Sequence, residues 1–149
     1  MANPVCEVLL TEAQLNAPEN HVDPAAGARV DFHGIVRGSE NGREIEGIDY
    51  DAHWKMAEHQ LKEIAEQAMV QFELRLVTIH HRIGFVAVGE PSLFMRVLSG
   101  HRQEAFQASR WIVDELKKKV PIWKRPRFKN HTQQGPPRLG ASAAPTTRV

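Results

Sequence analysis

At 149 residues, with 42% hydrophobic and 25% charged side chains, the chain has the size and composition of one soluble domain with its own core. A formal net charge of +1 excludes a protein that binds nucleic acid by neutralising many phosphates, so any basic site must be local. The single cysteine, Cys6, excludes an internal disulfide, a thiolate metal cage and a two-thiol redox site within one chain.

The N-terminal stretch "MANPVCEVLL" lacks the basic flank and long apolar core of a signal peptide. No apolar run in the sequence approaches the roughly 20 residues that cross a bilayer, and a cytoplasmic address is expected. "CEVLL" reads as a short strand in which Cys6 is expected to be buried, "TEAQL" as a brief helix capped by Thr11, and "PENHVDPAAG" as a loop of turn formers. "ARVDFHGIVRG" and "REIEGIDYD" read as strands on either side of the polar turn "GSENG". With Asp51 as N-cap, the following helix carries Ala57, Leu61, Ile64, Ala65, Ala68 and Phe72 on one face.

"LRLVTIHHRIG", "FVAVG" and "LFMRVLS" resemble three strands, the last entered through "GEPS". Ser99 is a cap for a second long helix whose apolar stripe runs through Ala105, Phe106, Ile112, Val113 and Leu116, and Pro121 marks its end. "KVPIWKRPRF" then reads as a rigid apolar turn crowded with cations. Strands with two long helices on one side indicate an α+β single domain over residues 1–128. From Lys129 onward large apolar residues nearly vanish, and 129–149 is expected to be a flexible tail.

The sequence holds no P-loop, dinucleotide-binding glycine motif, nucleophile-elbow serine or zinc-protease His/Glu spacing. What remains is cationic. His101 and Arg102 open the second helix, where backbone N–H groups and the helix dipole favour an anion. At its other end, Lys117 continues the line of Phe106 and Val113, Lys119 that of Ala105 and Ile112, and Lys118 faces outward. A lysine beside apolar surface suits acid/base or nucleophilic work, and periodicity does not choose between Lys117 and Lys119. His80 and His81 are adjacent on a strand and so face opposite sides, which argues against a shared metal. Arg37 follows "FHGIV", where a strand runs into a glycine-containing turn.

Together, "GARVDFHGIVR", "IDYDAHWKMAE", "HRIGFVAVGE", "SGHRQEAFQASRWIVDELK" and "PIWKR" resemble, in order and spacing, the large catalytic subunit of molybdopterin synthase. The resemblance spans roughly residues 25 to 125. It implies an α/β-hammerhead-like domain with mixed and antiparallel strands, and a sulfurtransferase that converts cyclic pyranopterin monophosphate to molybdopterin. In that family a small ubiquitin-like subunit delivers sulfur as a thiocarboxylate on its C-terminal Gly-Gly. A chain with only Cys6 agrees with an external sulfur source, and no resident cofactor or metal is expected.

Carried over by motif, the resemblance implies Lys117 as principal catalytic lysine and Lys124 as second. It implies Arg37, His101 and Arg102 as anchors for substrate anions, with Phe32 and Val113 as walls. It further implies a homodimer within a heterotetramer, where His101 and Arg102 serve the neighbouring protomer's pocket. The chain departs from the family after "PIWKR": an acidic residue and a Gly-x-x-Trp strand are replaced by "PRFKNHTQQGPPRLG", and Arg138 stays unassigned. A non-catalytic module binding a ubiquitin-like tail, and a small RNA- or anion-binding domain, are the alternatives. The first is favoured if the pocket no longer closes, and the second is disfavoured by net charge and the lack of stacking aromatics.

Overall fold

Hydrophobic periodicity sorts the chain into two sheets and a helical layer. The structure is a computed structural model describing residues 3–19, 22–129 and 146–149. In chain order the elements are β1 (Val5–Thr11), β2 (Ala28–Ile35), β3 (Ser39–Glu40), β4 (Arg43–Ala52), α1 (Trp54–Gln71), β5 (Leu76–Arg82), β6 (Gly84–Ala87), β7 (Pro91–Ser99), α2 (Arg102–Lys119), β8 (Ile122–Phe128) and β9 (Thr147–Arg148). The first sheet has the order β1-β5-β7-β2, with β1 parallel to β5 and the other pairs antiparallel. The second runs β3-β4-β8-β9, and β6 pairs with β4 as well. This is the α+β domain with two long helices that the sequence indicated.

Both helices lie on one face of the first sheet, α1 against β1 and β5, α2 against β2 and β7. Ala57, Leu61, Ile64, Ala65 and Ala68 of α1 are all buried, as their spacing requires. The α2 stripe is Ala105, Ala108, Ile112 and Leu116. They cover Val77, Ile79, Met95 and Val97, every second residue of β5 and β7. Phe106 is turned away from this stripe and is 64% exposed, because it sits about 100° around the helix from Ala105.

The opposite face of the sheet is closed by the loop after β1. Arg96, 4% exposed, grips Asp31 through two bonds of 2.7 and 2.9 Å and donates to the carbonyls of Pro18 and Glu19. The guanidinium holds the Asp31 carboxyl below its ordinary range.

Several local expectations are corrected. "TEAQL" forms no helix: Thr11 ends β1, and its hydroxyl accepts from the Ala13 N–H. The N-cap of α1 is His53, whose Nδ1 accepts from Met56, because β4 continues through Asp51 and Ala52. The N-cap of α2 is His101, whereas Ser99 is buried as the last residue of β7 and donates to the His101 carbonyl. Cys6 is exposed rather than buried, since β1 is an edge strand.

The "IWKRPRF" part of "KVPIWKRPRF", Ile122–Phe128, is a strand, not a turn. Val149 N–H donates to the Ile122 carbonyl, so the even-numbered residues of β8 aim their backbone groups away from β4. Pro126 therefore has no ladder bond with β4 to lose, and the strand tolerates it. Residues 130–145 of the expected tail lie outside the described residues, and Thr147 and Arg148 return as β9 beside Lys124 and Trp123.

Candidate active site

The two sheets meet where the end of β2 and the start of β7 approach β4, which lies beside β8 in the second sheet. Alternation on β8 puts Ile122, Lys124 and Pro126 on the inner face, while Trp123, Arg125 and Arg127 face outward. Tyr50 stands directly opposite Lys124, is itself buried, and meets the buried His81 of β5 edge-on with ring centroids 5.3 Å apart. The Ser92 hydroxyl donates to the Gly34 carbonyl, and Ser92 also hydrogen-bonds Tyr50. Burial pushes the Tyr50 phenol above its ordinary pKa; the bond to Ser92 opposes this and the nearby Glu40 charge adds to it.

His81 is held neutral. Its Nδ1 lies 2.9 Å from the Arg82 carbonyl, an acceptor only, so Nδ1 carries the proton. Burial lowers its pKa to about 4, against a smaller opposing effect of that bond. His80, on the other face, pairs with Glu7 at 2.9 Å. Among the described residues no three His, Cys, Asp or Glu side chains form a metal-holding group.

The basic stretch divides by partner. Lys119 pairs with Glu115 at 2.9 Å, and Lys118 approaches the same carboxylate at 4.0 Å. Arg127 binds Asp49 through two nitrogens and lies over the Phe85 ring. Lys124 reaches Glu40 at 3.2 Å. Lys117, in the last turn of α2, makes no hydrogen bond or ion pair among the described residues.

Val113 and Lys117 share one face of α2 at i, i+4, Val113 packing against the core edge. Phe32 is opposite the buried Met95 and so lies on the helical side of β2, 38% exposed, with its ring beside Gly34. Arg37 is exposed just past the end of β2 and makes no hydrogen bond or ion pair among the described residues. The chain reversal at Val120 and Pro121 sets Lys117 three residues before one corner and Lys124 three residues after it.

His101 and Arg102 stand apart, exposed at the far end of α2. Fifteen residues of helix separate Arg102 from Lys117, about 22 Å along the axis. One chain does not bring all the expected pocket residues together. Sequence reasoning missed Glu40, Tyr50 and Ser92. "IDYD" carries the alternation that puts Tyr50 on the face of Ile48, but its partner strand β8 reads as a turn in the sequence.

The MoaE protein family model matches residues 9–119. The molybdopterin synthase catalytic subunit of Thermoplasma volcanium is 38% identical over 126 residues, covering 83% of this chain and 92% of that one. That of Pyrococcus abyssi is 43% identical over 101 residues, 68% of each chain. Among solved structures, molybdopterin synthase from Staphylococcus aureus superposes with a TM-score of 0.69 at 30% identity, over 74% of this chain and 80% of that one. The complex of subunits 1 and 2 of molybdopterin-converting factor from Helicobacter pylori matches with a TM-score of 0.60 over 78% of this chain and 80% of the other, at 21% identity, a likeness of fold. The chain belongs to the MoaE protein family.

Proposed function

We propose that the chain is the catalytic subunit of a molybdopterin synthase. It converts cyclic pyranopterin monophosphate to molybdopterin, taking two dithiolene sulfurs from the thiocarboxylated C-terminus of a small ubiquitin-like subunit. Relatives of 38% and 43% identity bear that catalytic-subunit name. Cys6, the one thiol, supports an external sulfur source: it sits on the solvent-exposed β1 edge, where partial desolvation and the Glu66 charge raise its pKa, with Lys62 opposing.

One observation carries the assignment of roles. Of the three lysines ending α2, Lys118 and Lys119 are engaged by Glu115 and Lys117 is not. Lys117 is thus the amine available for proton transfer or a transient adduct during thiocarboxylate attack, with Lys124 across the corner in support. Arg37 holds substrate anions, and Phe32 and Val113 form apolar walls.

His101 and Arg102 lie about 22 Å of helix from Lys117. Their use in the same chemistry requires a second copy of the chain, which supports a homodimer with a small subunit at each end. No helix of the described residues is long and apolar enough to cross a membrane, and the proposal includes a cytoplasmic address. Incubation with thiocarboxylated small subunit and the cyclic pterin precursor tests the reading. Dithiolene product is the expected result, and binding of the small subunit without turnover overturns catalysis in favour of a docking module.

A further inference from the structure

The Lys124 ammonium ends a flexible four-carbon stem, so its position is not set by the strand alone. Its partner is set firmly. Glu40 is the second residue of β3, joined to β4 by Asn41 and Gly42, whose φ angles of 50° and 76° are those of a tight two-residue hairpin turn. That turn fixes Glu40 opposite Arg43. Arg43, the nearest competing cation on the hairpin, places its guanidinium over the Phe128 ring at 4.0 Å instead.

The Glu40 carboxylate is therefore left to Lys124, 3.2 Å away, with the two side chains 18% and 26% exposed. Lys119 and Arg127, by contrast, are 48% and 50% exposed in their own pairs. A half-buried pair is less screened by salt and less mobile than a surface one. The Tyr50 phenol stands behind it, near enough to feel the Glu40 charge and tied through Ser92 to the end of β2.

Resting on the functional reading above, we infer that Glu40 is a positioning residue for the reaction. Its carboxylate, delivered by the β3–β4 hairpin, holds the Lys124 ammonium at the corner shared with Lys117. Glu40 touches neither substrate nor sulfur; it acts through Lys124 and fixes where that charge meets the incoming anion. Exchange of the carboxylate for an amide keeps shape and removes the negative charge, leaving Lys124 at most a weaker bond to a neutral oxygen.

The experiment is a double-mutant cycle on the assembled enzyme, read by single-turnover product formation and by small-subunit affinity. Glu40→Gln is expected to slow turnover about tenfold with the thermal transition and affinity unchanged, and Glu40→Asp to recover part of the rate. In a Lys124→Ala background, Glu40→Gln should cost nothing further, because the residue it positions is gone. A Glu40→Gln enzyme at full rate, or one losing the same factor with and without Lys124, overturns the inference. A wild-type chain that forms no product overturns the functional reading and the role of Glu40 with it, a failure visible before any variant is made.

Discussion

His81 gives the fold a built-in sensitivity to acid whose size follows from its setting. In the folded chain its pKa is about 4, against an ordinary value of 6.5. Between those values the unfolded chain binds a proton that the folded one refuses, so stability rises with pH across this window and falls as pH is lowered. Each pH unit is worth roughly 1.4 kcal/mol, and the window therefore carries about 3 kcal/mol, a sizeable part of a typical domain's stability. Urea unfolding at half-unit steps from pH 7.5 to 4 measures it. Carboxylates that titrate at the lower end, Asp31 below its ordinary range among them, contribute equally to a His81→Gln variant. The glutamine can still donate to the Arg82 carbonyl, and the difference between the two curves isolates the imidazole. Wild type should lose about 3 kcal/mol more than His81→Gln between pH 6.5 and 4. Parallel curves would refute the claim that His81 is held neutral in the folded chain.

Lys117→Ala should reduce turnover by at least about 100-fold with folding and small-subunit binding retained, while Lys118→Ala stays within about twofold. Equal modest losses at Lys117, Lys118 and Lys119 would mean that the run is only a solvated helix end. Cys6→Ser should convert precursor at the wild-type rate and keep the thermal midpoint, given the exposure of the thiol; a folded, partner-binding but inactive variant would defeat the external-sulfur argument. Gly47→Ala should cost about 1–3 kcal/mol of stability, read as a lower thermal midpoint, since its Cβ would strike the Val86 carbonyl oxygen and lie 2.6 Å from the Phe85 ring. An unchanged midpoint would show that β6 yields at no cost.

The helices were legible because their information is local. The spacing from Ala57 to Phe72 states a face outright, and every residue in that set is buried except Phe72, which caps the helix half-buried. Even the sorting of the lysines was within reach: Glu115 stands three and four residues before Lys118 and Lys119, the spacing that engages them and leaves Lys117 out. The caps failed because a polar residue before a helix, such as Asp51 or Ser99, can equally belong to the end of a strand. The strand within "PIWKRPRF" was hidden by the prolines and cations of that stretch, whose tolerance depends on which edge faces β4. Glu40 was out of reach altogether. In sequence it is one polar residue of a turn, and its partner lies 84 positions away.

That separation bears on how the molecule is made. While the ribosome has yet to deliver Ile122–Phe128, β4 has β6 along one edge and neither β8 nor its lysine along the other. Closing a loop of this length is among the slower steps available to a chain, and it comes after nearer contacts have formed. The helical layer and its sheet can be in place while the corner is still missing. A nascent or C-terminally clipped chain would thus resemble the finished protein in helix content and yet hold no Lys124, so maturation of this catalyst ends with the seating of its last long strand.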